Sequence, residues 1–187
     1  AVVFLASEER AARYARERGV ALESIPWIRG WGHRTAPITY AAKIEASRES
    51  PYVFPHVRGT IQDAFRRAAI ASVEQIHAIE THDCFTTTEY MAIDHFGLTG
   101  PGESWKAIES GVIARGGRLP INPSGGLIGL GHPVGATGVR MLLDAYKQCA
   151  GRAGDYQVDG ARTVATLNIG GSATTTVTFV VSTEAAA

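Results

Sequence analysis

The chain has 187 residues, with lysine plus arginine equal to aspartate plus glutamate at 18 each, and hydrophobic residues at 45%. That length supplies one domain with a real core, and the neutral balance gives no footing for nucleic acid or an anionic membrane surface. Two cysteines, Cys84 and Cys149, are too few for a disulfide framework and read as reduced thiols of a cytoplasmic protein. No apolar run reaches the roughly 18 residues that a membrane span needs.

Residues 1–6, Ala-Val-Val-Phe-Leu-Ala, read as a buried strand. An opening of that kind without Met suggests a chain that begins inside a larger protein. Ser7 is placed to cap a following helix, with Glu8 and Glu9 at its positive end and Gly19 as its stop. Over residues 21–55 the pattern weakens into strand pieces and an irregular excursion around Trp27, Ile28 and Trp31. Thr60, with Asp63 three residues on, is placed to cap the next helix, whose apolar face carries Ile61, Ala64, Phe65, Ala68 and Ala69. A short strand over 76–81 then leads into His82-Asp83-Cys84-Phe85, with a helix from Thr86 stopped near Gly97.

Residues 116–138 are glycine-rich, so the backbone there turns sharply or approaches something closely. A helix follows, with Val139, Leu142, Leu143, Tyr146 and Cys149 at helical spacing. Segments 163–168 and 173–181 read as two strands joined at Gly170-Gly171. Strands alternating with helices before a terminal strand pair indicate an α/β fold, a layered mixed sheet covered by helices. The tail, 185–187, carries no address signal.

Three segments hold reactive groups in turn-like settings. Cys84 sits between a strand end and a helix start, where the helix dipole favours a thiolate and the neighbouring Asp83 opposes it. On its residue type alone Cys84 is equally a small buried hydrophobe. His132, between Gly131 and Pro133 and directly before a helix, is held rigidly where it can accept a proton or donate to an oxyanion. It can also be a turn histidine in a phosphate-cradling loop, although neither a P-loop nor a dinucleotide fingerprint is present. Asn168-Ile169-Gly170-Gly171-Ser172 offers backbone N–H groups to an oxyanion, or is simply a β-hairpin turn. His33, His56, His77 and His95 show no metal-like pairing, so no metal site is expected. Cys149, on an apolar helix stripe, reads as core.

Taken in order, these segments resemble the thiolase superfamily over residues 61–181. Residues 122–138, Asn-Pro-Ser-Gly-Gly-Leu-Ile-Gly-Leu-Gly-His-Pro-Val-Gly-Ala-Thr-Gly, are similar to the family's Gly-His-Pro loop with its lead-in, and Asn122, Gly131, Pro133 and Gly135 would be its structural residues. The loop stands about fifty residues after His82-Asp83-Cys84-Phe85 and before Asn168-Ile169-Gly170. Ordinary thiolases carry Asn-Glu-Ala-Phe at the first of these places and their acid/base cysteine in a later Cys-x-Gly. Here the later place is Asn168, and the cysteine lies in His-Asp-Cys-Phe, the pattern of sterol-carrier-protein-type thiolases.

The resemblance implies a thiolase C-terminal domain over 1–187 and Claisen chemistry on coenzyme A thioesters. The reaction would be thiolysis of a 3-ketoacyl-CoA or its reverse, with no cofactor beyond the thioester substrate. His132 would activate a nucleophilic cysteine and help bind the oxyanion that His82 organises. Cys84 would carry the proton as acid/base, and the Gly170 N–H would serve a second oxyanion hole. The family nucleophile belongs to the N-terminal half, so the chain alone would form no acyl-enzyme and that half is an expected partner, with a dimer or tetramer as the assembly. The other expectations are an acyl-CoA aldol lyase or partner subunit, in which Cys84 is dispensable, and a non-catalytic binding module.

Overall fold

The fold is that of a computed structural model describing residues 1–184, so the 185–187 tail lies outside the described residues. The helices are α1 (Glu8–Arg18), α2 (Tyr40–Ser47), α3 (Pro55–Arg67), α4 (Thr86–Phe96), α5 (Ser104–Glu109), α6 (Gly126–Leu130) and α7 (Thr137–Cys149). The strands are β1 (Trp27–Thr35), β2 (Ala78–Thr81), β3 (Thr163–Gly170) and β4 (Thr175–Ser182). They form one mixed sheet in the order β1-β4-β3-β2, parallel between β2 and β3 and antiparallel elsewhere.

Helices cover the sheet on both faces, as the alternating pattern predicts. On one face α3 lies against β1 and β4 and presents Val57, Ile61, Ala64 and Phe65 to a core shared with Ile79, Ile93, Phe96, Leu119, Leu167 and Val180. Burying each large aliphatic of that set contributes roughly 1.5–3 kcal/mol. The approach is close because β1 carries Gly30 and Gly32 there. A Cβ on Gly30 would stand 2.1 Å from the Ala64 carbonyl oxygen, and one on Gly32 would stand 1.9 Å from that of Thr60. On the other face α7 lies over β2, β3 and β4, with Ala145 and Cys149 against Ala78, Val164 and Val181.

Some expectations are corrected. Residues 1–6 form no strand: Phe4 is 94% exposed, and no strand of the described sheet offers the segment a partner for its backbone groups. The helix expected to start at Thr60 starts instead at Pro55, whose missing N–H costs nothing in a first turn. Thr60 lies inside it, fully buried, donating its hydroxyl to the His56 carbonyl at 2.8 Å and meeting Thr176 Oγ1 at 2.7 Å. The excursion over 21–55 contains a nine-residue strand, β1, and α2. On α7 the deeply buried positions are Thr137, Met141, Asp144, Ala145, Gln148 and Cys149, while Val139, Leu142, Leu143 and Tyr146 are half-buried. Asp144 and Gln148 tolerate burial because each finds hydrogen-bond partners in the 154–158 segment.

Gly32→Val should drive a side chain into the backbone of α3 and lower stability by on the order of 1–3 kcal/mol or more, read as a lower urea midpoint of the full-length protein. An unchanged midpoint would show that α3 does not rest on β1 at that point.

Candidate active site

The parallel strands β2 and β3 end on the same side of the sheet, and in open α/β sheets that is the side where ligands meet the chain. The loop leaving β2 carries His82, Asp83 and Cys84, and Phe85 precedes the first turn of α4. The glycine-rich segment passes beside β2, through an isolated parallel bridge between Ile79 and Ile121, and delivers His132 to the start of α7.

Short polar contacts bind these two loops together. Asn122 takes a positive φ of 52°, a region that asparagine enters more readily than most residues. Its N–H donates to the Ile79 carbonyl at 2.7 Å and its Oδ1 receives the Thr81 N–H at 2.7 Å. Its Nδ2 donates to Glu89 Oε2 at 3.1 Å, tying in α4. Asp83 is buried, and its Oδ1 receives the Leu127 N–H at 2.6 Å. Gly126 makes room for it: at φ 62°, a Cβ there would stand 2.2 Å from Asp83 Oδ2.

These contacts bring His82 and His132 edge to face, with ring centroids 4.9 Å apart at 89°. Burial above all, with the neighbouring His132 adding to it and Asp83 opposing, pulls the His82 pKa down to about 4, so at neutral pH its ring is uncharged. Its Nδ1 is buried and has no hydrogen-bond partner among the described residues. His132 Nδ1 meets Thr137 Oγ1 at 2.7 Å, and the Thr137 hydroxyl lies 3.2 Å from the Pro133 carbonyl, to which it donates. A hydroxyl that has given its proton to Pro133 can only accept from His132, which fixes the proton on Nδ1 and leaves the Nε2 lone pair free. Gly131, at φ 111°, and the exposed Pro133 and Gly135 hold the ring at the helix start without crowding it.

The other candidates stand around this pair. Cys84 is a free, half-buried thiol two residues beyond His82, beside an exposed Phe85. Asn168, near the end of β3, donates Nδ2 to Met141 Sδ at 2.9 Å and lies against Gly138, so the third segment meets the same first turns of α7. Gly170 ends β3 and opens the turn to β4. Beyond Gly171, at φ 58°, the turn puts two non-glycine residues in the left-handed region, Ser172 at 55° and Ala173 at 61°, a cost the surroundings must carry. They do so through His56 Nε2–H on the Ala173 carbonyl at 2.7 Å, the Ala36 N–H on the Thr174 carbonyl at 2.7 Å and Lys43 Nζ near Thr174 Oγ1 at 3.4 Å. Cys149 lies away from the site with Sγ–H on the Val181 carbonyl at 3.3 Å, and burial pushes its pKa up to about 12, so it stays a thiol.

Sequence reasoning missed Thr137, Glu89, Glu80, Ser124 and Arg140. For Glu80 a signal was present, a lone carboxylate within a short apolar strand. Thr137 offered none, because its hydroxyl matters only once the loop closes onto His132.

Residues 40–183 match the family model described as thiolase C-terminal domain-like. An acetyl-CoA acetyltransferase of Methanothermobacter thermautotrophicus is 40% identical over 111 residues, 59% of this chain and 29% of that protein. Sterol carrier protein 2 of Bos taurus is 43% identical over 95 residues, 51% of this chain and 18% of that protein. Among solved structures, an Ltp2-ChsH2(DUF35) aldolase superposes with a TM-score of 0.65 at 21% identity, covering 82% of this chain and 38% of that one, a likeness of fold. The chain thus spans less than a third of the curated relatives it matches here. With a family match running from α2 to the end of β4, the chain belongs to the thiolase C-terminal domain-like family of the thiolase superfamily.

Proposed function

We propose that the chain is the C-terminal half of an acyltransferase acting on coenzyme A thioesters, with Cys84 as acid/base and His132 as activator of a nucleophilic cysteine supplied by the N-terminal half. The observation that carries this is the uncharged His82 beside a His132 whose Nε2 is left free by Thr137. A neutral base with a fixed tautomer is what deprotonation of a thiol requires.

In thiolysis, His132 Nε2 takes the nucleophile's S–H proton as the sulfur adds to the 3-keto carbon of a 3-ketoacyl-CoA. The Nε2–H so formed and His82 face the oxygen on which negative charge grows. When the bond between C2 and C3 breaks, the leaving acetyl-CoA carbanion takes the Cys84 thiol proton. Free CoA then returns a proton to Cys84 as its sulfur attacks the acyl-enzyme, with the Gly170 N–H facing that second oxyanion, and the nucleophile's sulfur leaves and regains its proton from His132 Nε2. Protons balance over the cycle, and the reaction as written uses no cofactor or metal.

The same reading takes residues 1–187 as one domain, since β1, which precedes the matched range, pairs along its length with β4. It places acyl-CoA, CoA and the N-terminal half as partners, a dimer or tetramer as the assembly and the cytoplasm as the compartment. The described residues contain no helix long and apolar enough to cross a membrane. Exposed Phe85, Ile128, Leu130 and Val134 flank the site, an apolar rim suited to being covered by the other half or by an acyl chain. A second reading, an acyl-CoA aldol lyase, draws support from the fold shared with the aldolase structure. In a lyase Cys84 would be dispensable.

Cys84→Ala in the full-length protein should lower thiolysis by on the order of 10²–10⁴-fold with little change in KM. Full turnover by this variant, with retro-aldol cleavage of 3-hydroxyacyl-CoA in both proteins, would replace the acyltransferase reading with the lyase one. Thr137→Val should free the His132 tautomer and cost roughly 10–100-fold in kcat, restored by Thr137→Ser; a variant that keeps full kcat would show that the hydroxyl does not orient the ring. A buried histidine held near pKa 4 against about 6.5 when unfolded stabilises the fold above pH 6.5 and loses that contribution as pH falls towards 4. His82→Asn should therefore flatten the fall in urea stability over that window, by on the order of 3 kcal/mol between its ends. An unaltered acid limb would show that His82 is not buried uncharged.

A further inference from the structure

Beneath the two loops lies a buried ionic group that the reaction above leaves without a task. Glu80 stands on β2 two residues before His82 and is fully buried. Its carboxylate receives the Ser124 N–H at 3.1 Å on Oε1 and the Ser124 hydroxyl at 2.7 Å on Oε2. Ser124 Oγ in turn receives an Arg140 guanidinium N–H at 3.0 Å, and the same nitrogen donates to Asp144 Oδ2 at 2.7 Å. The Tyr156 hydroxyl donates to Asp144 Oδ1 at 2.8 Å, with Lys147 Nζ 4.0 Å from that oxygen. The titratable groups facing Glu80 are thus Arg140 and Asp144 from α7 and, behind them, Lys147 and Tyr156, with His82 and Asp83 next along its own chain. Arg140 holds two further buried donor nitrogens, Nε and one terminal NH2, with no partner among the described residues, so its orientation is set by Ser124 and Asp144.

The hydrogens of this group suit the ionised state of Glu80 best. An ionised Glu80 accepts both the Ser124 N–H and its hydroxyl, and Ser124 Oγ is then free to accept from Arg140. A proton on Oε1 would face the Ser124 N–H, and one on Oε2 would turn the Ser124 hydroxyl away and bring a third donor to an oxygen that already accepts from Arg140 and from the Gly126 N–H at 3.3 Å. Burial nevertheless pushes the Glu80 pKa up to about 7, with the Asp144 charge adding and Ser124 and Arg140 opposing. The group therefore changes state close to neutrality. Its location makes that change matter: Glu80 to Ser124, Thr81 to Asn122 and Asp83 to Leu127 are rungs between β2 with its loop and the segment that carries His132.

We propose that Glu80, acting through Ser124 and Arg140, is a positioning residue that sets the separation between the His82 loop and the His132 loop. This rests on the reading that both histidines serve the reaction. The ionised form holds the loops in register, and protonation loosens the rung nearest the sheet.

The test compares the full-length protein with its Glu80→Gln and Ser124→Ala variants, by kcat and KM across pH 5.5–8.5 and by ¹⁵N imidazole resonances without substrate. The wild type should lose kcat as pH falls through about 7, and its His82 and His132 resonances should shift over the same range. Glu80→Gln, fixed in the uncharged state, should lack that limb, with kcat at the upper end reduced about tenfold and KM within about threefold. Ser124→Ala should show a similar reduction, and it decides the matter by the same measurements if Glu80→Gln does not fold. Variants that keep the wild-type limb and imidazole shifts would overturn the proposal, as would losses that merely follow the folded fraction. The resonances need no turnover. A full-length protein inactive in both thiolysis and aldol cleavage would sink the reaction reading and still decide this one.

Discussion

The Asp83 carboxylate rests on the backbone of Gly126 with the Leu127 N–H on its oxygen, and this contact is one of three that tie the two histidine-bearing loops together. Asp83 lies between His82 and Cys84, so wherever its side chain is seated, the two reactive groups are carried along. On the opposite loop Gly126 is five residues from Gly131, the residue that aims His132. A buried carboxylate accepting a backbone N–H makes a strong, directional bond, and no side chain can stand between the partners. The imidazoles that meet at 4.9 Å are carried by loops held through this seating and its neighbouring rungs.

The sheet that supports the site is packed unequally on its two faces. Against α3 the core is mainly apolar, with the Thr60–Thr176 pair bonded inside it, and so close that β1 carries glycine where the helix backbone arrives. Against α7 the interior holds Glu80, Asp144, Gln148 and Arg140. Apolar packing makes the first face stiff, because interiors at that density have few alternative arrangements. The second face is organised by hydrogen bonds, whose geometry is directional and responds to charge. The histidines and Cys84 are attached to loops that connect to this second face, so their placement depends on polar contacts more than on bulk burial.

Much of this was legible in the residues. Ser7 and Gly19 bound α1 as their types suggest, with Ser7 Oγ receiving the Arg10 N–H and Gly19 left-handed. The three segments with reactive groups were legible as turns, because each interrupts a periodic pattern with residues that suit turns; that they meet at one end of the sheet is shown by the fold. What the residues did not disclose was pairing. Residues 1–6 have the composition of a strand, and composition cannot supply the neighbour that a strand needs. Thr60 with Asp63 has the form of a cap, yet Pro55 starts the helix earlier and the Thr60 hydroxyl turns back to His56. The turn at Gly170-Gly171 was expected to rely on its glycines for positive φ, whereas Ser172 and Ala173 share the burden because three neighbouring segments hold them. Glu80 and Thr137 acquire their significance from partners more than forty positions away or from a ring that closes over them.

His56 gives the α3 face a further meaning. It sits one residue past the start of α3 and grips the Ala173 carbonyl, while the middle of the same helix bears on Gly30 and Gly32 of the strand at the sheet's far edge. The helix thus behaves as a lever resting on a fulcrum of bare backbone, with its short arm fastened to the turn beyond Gly170. At the pivot the strand meets the helix through backbone and the small Ala68 methyl, which leaves few side-chain rearrangements between them. The far edge of the sheet and the turn beyond Gly170 thus rest on the same helix.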